Sequence, residues 1–355
     1  MRRSVETSAE APQSAGAGGS QHASARRVAL VAVIVLAGAA VLVMSWPQAL
    51  GMQRVPGIAQ LIAFRAPLGI GIALLALLAG AIGLMRRGRR PVLAAALALV
   101  LAAGSLVNGA VLAARGSANG ALPDGDLVVM AWNAQGGATS PAEIARVAAD
   151  ARADVVSLPE TDEKAAAEVA RLLAEQGIGM RPHTVRAEGE YDWIPTSVLI
   201  ADRLGDYDVD ASAGTTPGLP SGVWRPVDGD GPVIVAAHPL PPLPDSMDGW
   251  DEGLRWVAEA CRSSNVIVAG DLNATVDHLA GLGIHGHLVG GCDDAAQEAG
   301  AAAVGTWPSG VPSWISSPID HVLHGSAWIA KAVRVPGADP GGSDHRPIVA
   351  VLDNR

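Results

Sequence analysis

Long apolar runs occupy the first third of the chain. Val28 to Trp46, Ala66 to Met85 and Pro91 to Ala114 carry no charged side chain, and each is roughly 20 residues or more, the length that crosses a ~30 Å hydrocarbon core as a helix. A surface helix of a globular domain keeps one polar face. A cleavable signal has a shorter apolar stretch of roughly 7 to 15 residues and is not followed by two more runs. The pattern predicts three transmembrane helices.

After Asp126 the period changes. "DLVVMAWNA" (Asp126 to Ala134), "ADVVSLPE" (Ala153 to Glu160), "TSVLIA" (Thr196 to Ala201), "GPVIVAAHP" (Gly231 to Pro239), "NVIVAGDLNA" (Asn265 to Ala274) and "IDHVLH" (Ile319 to His324) are short apolar runs, most of them ending on a polar residue. Helical patterns lie between several of them, as in "SPAEIARVAADAR", where Ser140 is the predicted N-cap and Pro141 the first helical residue. Near-continuous apolar strands belong to sheets covered on both faces. They predict an α/β domain of layered sheets and helices, with no internal repeat.

Composition refines this organisation. Residues 1–25 are rich in Ser, Ala and Gly, with little to bury, and are expected to form a disordered tail. The three spans fall within 26–115, "GSANGALPDG" at 116–125 has linker composition, and 126–355 form the folded domain. Residues 1–120 carry 11 Lys and Arg against 2 Asp and Glu, a net of +9, whereas 121–355 carry 14 against 33, a net of −19. Arg26 and Arg27 precede the first run, and Arg86, Arg87, Arg89 and Arg90 crowd the link between the second and third. Basic segments stay on the cytoplasmic side, so the expected topology is a multi-pass protein of the cell membrane, with its N-terminus cytoplasmic and its C-terminal domain outside.

The polar residues at the predicted strand ends are Asn133, Glu160, His238, Asp271 and Asn273. Asp320 begins a further strand, and Asp344 and His345 stand in "GGSDHRPIVAVL". Strand ends at one edge of a sheet converge, so these side chains can share a cleft.

In order and spacing, "WNAQ" (132–135), "LPET" (158–161), "AAHP" (236–239), "GDLNA" (270–274), "IDHVL" (319–323) and "SDHRPI" (343–348) resemble the motif set of the endonuclease/exonuclease/phosphatase superfamily. That superfamily includes pancreatic-type deoxyribonucleases, apurinic-site endonucleases, neutral sphingomyelinases and inositol polyphosphate 5-phosphatases. The resemblance spans Asp126 to Asp353 and none of the apolar part. It implies a four-layer sandwich of two β-sheets flanked by helices, and hydrolysis of a phosphate ester with Mg²⁺, or alternatively Mn²⁺.

By that resemblance Glu160 is a metal ligand, Asn133 helps to fix metal or phosphate, and Asp344 is a further acidic metal-site residue. Asp271 orients or deprotonates the attacking water, while Asn273 donates its amide to a phosphate oxygen. Asp320 pairs with His345, whose role varies in the family between base and transition-state stabiliser, and His238 is a candidate proton donor to the leaving oxygen. Hard oxygen ligands are what Mg²⁺ prefers, which agrees with this set.

Other residues read as structural. His321 and His324 are strand-end neighbours of Asp320, Arg225 in "SGVWRP" is a surface cation, His285 and His287 sit in a Gly-flanked loop, and Trp307 packs beside the site. Cys261 and Cys292 are the only cysteines, and an even pair in an outside domain permits a disulfide.

The expected partners are a phosphoester substrate and a lipid bilayer crossed three times, with no obligate protein partner evident. Nucleic acid is a possible substrate but not a favoured one, because polyanion binding relies on Lys and Arg surfaces, whereas 121–355 carry −19 and only Lys164 and Lys331 as lysines; tethering at a membrane suits lipid head groups and cell-envelope phosphoesters equally well. A catalytically silent binding domain of the same fold is the alternative reading.

Overall fold

The computed structural model describes residues 17–85, 91–186, 194–337 and 342–355. Residues 1–16 of the expected tail and the four arginines between the second and third runs lie outside the described residues, while 17–25, expected as disordered tail, are the first turns of a helix. Four helices come first: α1 (Ala17–Ser45), the short α2 (Ile58–Ala63), α3 (Arg65–Met85) and α4 (Pro91–Arg115). Ser24–Ser45, Arg65–Met85 and Val92–Arg115 are long and apolar enough to cross a membrane.

The remaining elements are strands with helices between several of them. In order they are β1 (Leu127–Ala131), α5 (Pro141–Ala151), β2 (Val155–Leu158), α6 (Glu163–Ala174), β3 (Met180–Val185), β4 (Thr196–Ala201), β5 (Tyr207–Val209), β6 (Gly222–Pro226) and β7 (Val233–Ala237). Then follow α7 (Met247–Ala260), β8 (Val266–Asp271), α8 (Val276–Leu279), β9 (Leu282–Gly283), β10 (Val289–Gly290), β11 (Cys292–Asp294), α9 (Ala295–Glu298), β12 (Asp320–Gly325), β13 (Trp328–Arg334) and β14 (Ile348–Asn354). Helix α5 starts as its sequence dictates: Ser140 accepts a hydrogen bond from the Glu143 N–H, and Pro141 occupies the first turn, where no backbone donor is needed.

The strands form two sheets, ordered β13-β14-β1-β2-β4-β3 and β5-β6-β7-β8-β12-β11-β10-β9. Side chains alternate across a strand, so each central strand feeds two cores. Val129, Val155 and Val198 of the first sheet meet Ile234, Ile267, Ala269 and Val322 of the second in the core between them. Met130, Val156 and Leu199 face outward to α5 and α6, while Val235, Val268 and Leu323 face outward to Trp250, Leu254 and Val257 of α7. The result is the expected four-layer sandwich, and the Ser157 hydroxyl ties its halves by donating to the Ala269 carbonyl at 2.8 Å.

Two local constraints aim β8 at its functional end. Its parallel pairing with β7 sets Gly270 opposite Ala237, where a Cβ would stand 2.0 Å from the Ala237 oxygen, so only glycine fits. On its other side β12 runs antiparallel and brings Asp320 directly opposite Asp271. A disulfide joins Cys261, at the end of α7, to Cys292 at the start of β11.

The apolar helices and the sandwich are in contact. Ala59 of α2 is fully buried in the outer core with Trp250 and Leu279, and the His278 Nε2–H donates to its carbonyl at 3.0 Å. Residues of the stretch expected as a linker are hydrogen-bonded to the domain, Ala118 N to Gly300 O at 2.9 Å and Asn119 with the Val335 backbone in both directions.

Candidate active site

The ends of β1, β2, β7 and β8, the start of β12 and the loop before β14 converge on one cleft. Glu160 and Asn273, just past β2 and β8, have left-handed backbones with φ of 56° and 48°. Asparagine tolerates that conformation, but for glutamate it is uncommon. The turn carries the Glu160 side chain toward Asn133, whose amide donates to Glu160 Oε1 at 3.0 Å and to Asp271 Oδ2 at 3.1 Å. The Asn133 oxygen is turned to its own loop, accepting from Gln135 N at 2.9 Å. The residue therefore bridges two carboxylates through its nitrogen.

The "SDHRP" loop is fastened to the same edge. Ser343 Oγ donates to the Asn133 carbonyl at 2.6 Å, and Trp132 Nε1 donates to the His345 carbonyl at 3.0 Å. His345 Nδ1 then lies 2.9 Å from Asp320 Oδ2, the contact expected between these residues, while its Nε2 faces Asp271 Oδ2 at 3.7 Å and Asp344 Oδ1 at 3.9 Å. His238 Nε2 stands 3.9 Å from both Glu160 Oε1 and Asp271 Oδ2. The Asn273 backbone N–H donates to Asp271 Oδ1 at 2.8 Å, and its side-chain amide donates to the Pro239 carbonyl at 3.0 Å, leaving one amide hydrogen for another partner. All the residues expected from the motifs thus share one network.

Charge is unevenly distributed within it. Burial works against a charged His345, but Asp320 and Asp271 outweigh burial and push the imidazole up to about 10. Burial also raises the Asp271 carboxyl, partly offset by His345. Burial lowers His238 to about 4, so that ring is neutral near pH 7.

The donor chemistry fits a hard divalent cation, because the groups that face the cleft are mostly carboxylate oxygens. One ligand atom each from Asp271, Asp320 and His345 lies within 4.8 Å of the others. Asp320 Oδ1 and His238 Nδ1 are buried without a hydrogen-bond partner. The trio differs from the expected metal set of Asn133, Glu160 and Asp344, and a protonated His345 would not ligate. The carboxylates are the donors that fit.

Several neighbours take structural roles. His321 is held between Asp294 and the Ala274 carbonyl, His324 pairs with Glu298, His287 with Asp293 and Arg225 with Asp210. Trp307 borders the cleft, donating to Asp344 Oδ2 at 2.9 Å and packing 6.5 Å from the His345 ring. Arg346 is a positioning residue that the motif reading left unassigned. Its guanidinium binds the carbonyls of Gly305, Pro308 and Ser309 and so holds the loop that bears Trp307. A cavity of about 840 Å³ opens beside Asp126 and Val128 at the opposite end of β1, away from this chemistry.

The Endonuclease/Exonuclease/phosphatase family profile matches residues 130–345, and the chain belongs to that family. Among solved structures, an endonuclease/exonuclease/phosphatase from Beutenbergia cavernae DSM 12333 superposes with a TM-score of 0.50 at 22% identity, covering 65% of this chain and 72% of that one. Similar too are a humanized TDP2 from D. rerio (TM-score 0.48, 18% identity, 64% and 98% covered) and the mannosyl-6-phosphatase Bt3783 of Bacteroides thetaiotaomicron VPI-5482 (0.47, 16%, 64% and 99%). No curated protein matches the sequence.

The Asp320–His345 pair generates a titration prediction for the metal-free protein. Because the folded value lies above the ~6.5 of a free imidazole, the pair stabilises the fold fully below about pH 6.5 and loses that contribution as pH rises through about 10. In Asp320→Asn, ¹⁵N-histidine NMR is expected to find the His345 titration moved down toward the ordinary range, with the alkaline loss of stability weakened. An unmoved titration would mean that Asp320 does not hold the charge.

Proposed function

We propose that the chain is a membrane-anchored, metal-dependent phosphoesterase that hydrolyses a phosphodiester by attack of an activated water. The observation that carries this reading is the cleft itself, where Glu160 just past β2 and Asp271 and Asp320 on the paired strands β8 and β12 converge around Asn133 and the His345 imidazole. A bound Mg²⁺ would neutralise phosphate charge and polarise the ester. Glu160, whose carboxylate is held by the Asn133 amide, is the candidate to hold it, with Asp344 as a further acidic candidate.

The remaining steps fall to side chains. Asp271, its carboxyl raised by burial, orients the water and accepts its proton as the water oxygen bonds to phosphorus and the bond to the leaving oxygen breaks. His345, held through Nδ1 by Asp320, turns Nε2 toward the cleft, where in its protonated form it would donate Nε2–H to the phosphate as charge accumulates on its oxygens. The free amide hydrogen of Asn273 supplies a second donor. Burial holds His238 neutral near pH 7, so it acts as a general acid only where the substrate phosphate raises its pKa.

The membrane part of the proposal is supported by the contacts of the helices. The segment between α1 and α3 and the segment after α4 both touch the sandwich, as expected if both lie on the same side of the bilayer as the domain. The Cys261–Cys292 disulfide suits an oxidising, extracytoplasmic compartment.

Full-length protein tested with Mg²⁺ and Mn²⁺ against DNA, RNA, sphingomyelin, inositol phosphates and nitrophenyl phosphodiesters is expected to hydrolyse at least one and to stop on chelation. Silence across the panel would favour a binding domain. Glu160→Gln should lose turnover but recover part of it at high metal concentration, because mass action offsets a weaker ligand. Asp271→Asn should lose about 10²- to 10⁴-fold with no metal rescue, and the opposite pattern would mean that the two carboxylates are reversed. His238→Ala is expected to slow alkoxide-leaving substrates more than nitrophenoxide-leaving ones, and equal losses would remove it from the acid role. A reporter fused to the C-terminus should be active only outside the cytoplasm, and activity confined to the cytoplasm would invert the topology.

A further inference from the structure

A buried ionic clamp fixes the sandwich to the ends of all three apolar helices. Asp277, at the start of α8 and only a few residues beyond Asn273, receives Arg65 Nη2 at 2.6 Å and Nε at 3.0 Å from the first residue of α3. Arg115 from the last turn of α4 reaches the same carboxylate at 2.6 Å, and Gln48 from just beyond α1 at 2.5 Å. Arg65 also donates to the carbonyl of Ser45, the last residue of α1, and to Asn108 Oδ1 of α4, both at 2.9 Å. The side chains of Asp277 and Arg65 are 2% and 4% exposed. A buried charge pair of this kind does not separate cheaply.

Residues 46–64 continue the attachment around the cleft. Arg54 binds the carbonyls of His278 and Ala280 and the Asp251 carboxylate, and Gln53 binds Ala280 as well. Gln60 donates to the Pro242 carbonyl in the loop that follows His238. Phe64 packs 5.9 Å from Trp307, which itself packs 6.5 Å from His345. Only two ring contacts therefore separate the catalytic imidazole from Phe64, the residue just before α3. Exposed apolar side chains mark the same region: Trp46, Leu50 and Leu61 in this segment and Leu243 in the loop beyond His238.

We propose that the phosphoester cleaved at this site is the head group of a membrane amphiphile, which stays anchored in the leaflet while its phosphate enters the cleft past Phe64 and Trp307. The inference rests on the phosphoesterase reading above and on the helices crossing a bilayer. A domain on a loose tether would sample soluble substrates in all directions, whereas this cleft is locked at the level where α3 begins. The charge of the region agrees, since Arg54, Arg65 and Arg115 are spent on Asp277 and its neighbours and the net −19 of residues 121–355 disfavours a long polyanion.

The test uses full-length protein in phosphatidylcholine nanodiscs, both faces of which are open to solvent, with nitrophenol release as the readout. Three substrates share one reacting group: a dialkylglycerol nitrophenyl phosphodiester embedded in the same disc, the same lipid in protein-free discs, and methyl nitrophenyl phosphodiester in water. At equal bulk amounts the co-embedded lipid is expected to turn over at least tenfold faster than either of the others. Equal rates for the co-embedded lipid and the methyl ester, or release from the methyl ester alone, would overturn the amphiphile assignment and leave the phosphoesterase reading standing. No release from any of the three would overturn both.

Discussion

Two buried carboxylates face each other across a pair of antiparallel strands, and the rest of the site is arranged around that constraint. The register of β8 and β12 sets Asp271 opposite Asp320, and both are almost completely buried. Like charges so placed disfavour each other's ionisation. The structure answers with one imidazole, held by Asp320 and facing Asp271, and the SDHRP loop that carries it is fastened by Ser343 and Trp132. The price of concentrating negative charge at one strand edge is thus met by a cation whose own charge depends on it.

The same domain is held against the apolar helices by a second buried arrangement of charge, one aspartate shared by two arginines. The two networks lie on the same short stretch of chain, since β8 ends at Asp271 and Asp277 stands in the first turn of the next helix. Burial alone would raise the Asp277 carboxyl, but Arg115 and Arg65 hold it well below the ordinary carboxylate range. The ion pair therefore persists across the physiological pH range, and the cleft keeps one orientation to the helices.

Much of this was legible in the sequence because it follows from periodicity and strand-end chemistry. The strands around Val129, Val156, Val198 and Val268 are apolar on both faces since each lies between two layers, and the polar residues that end them converge as strand ends do. Long-range pairing was less legible. Asp277 stands in "NATVDHLAG" with nothing local to mark it, and its partners lie 212 and 162 residues away in apolar surroundings. Arg54 and Arg65 carried a usable signal: they are cations in the loop expected to lie outside, against the usual bias. The direction of the Asn133 amide was illegible for another reason, because a motif fixes the residue but not which end of its side chain faces the carboxylates.

The measurement that bears most directly on the account is isotope incorporation during hydrolysis of methyl nitrophenyl phosphodiester by the full-length protein with Mg²⁺ in ¹⁸O-labelled water. Attack of a water activated by Asp271 at phosphorus predicts a single ¹⁸O in the methyl phosphate product and none in the nitrophenol. Label in the nitrophenol, or no turnover of this or any other phosphoester, would contradict the assignment of the cleft.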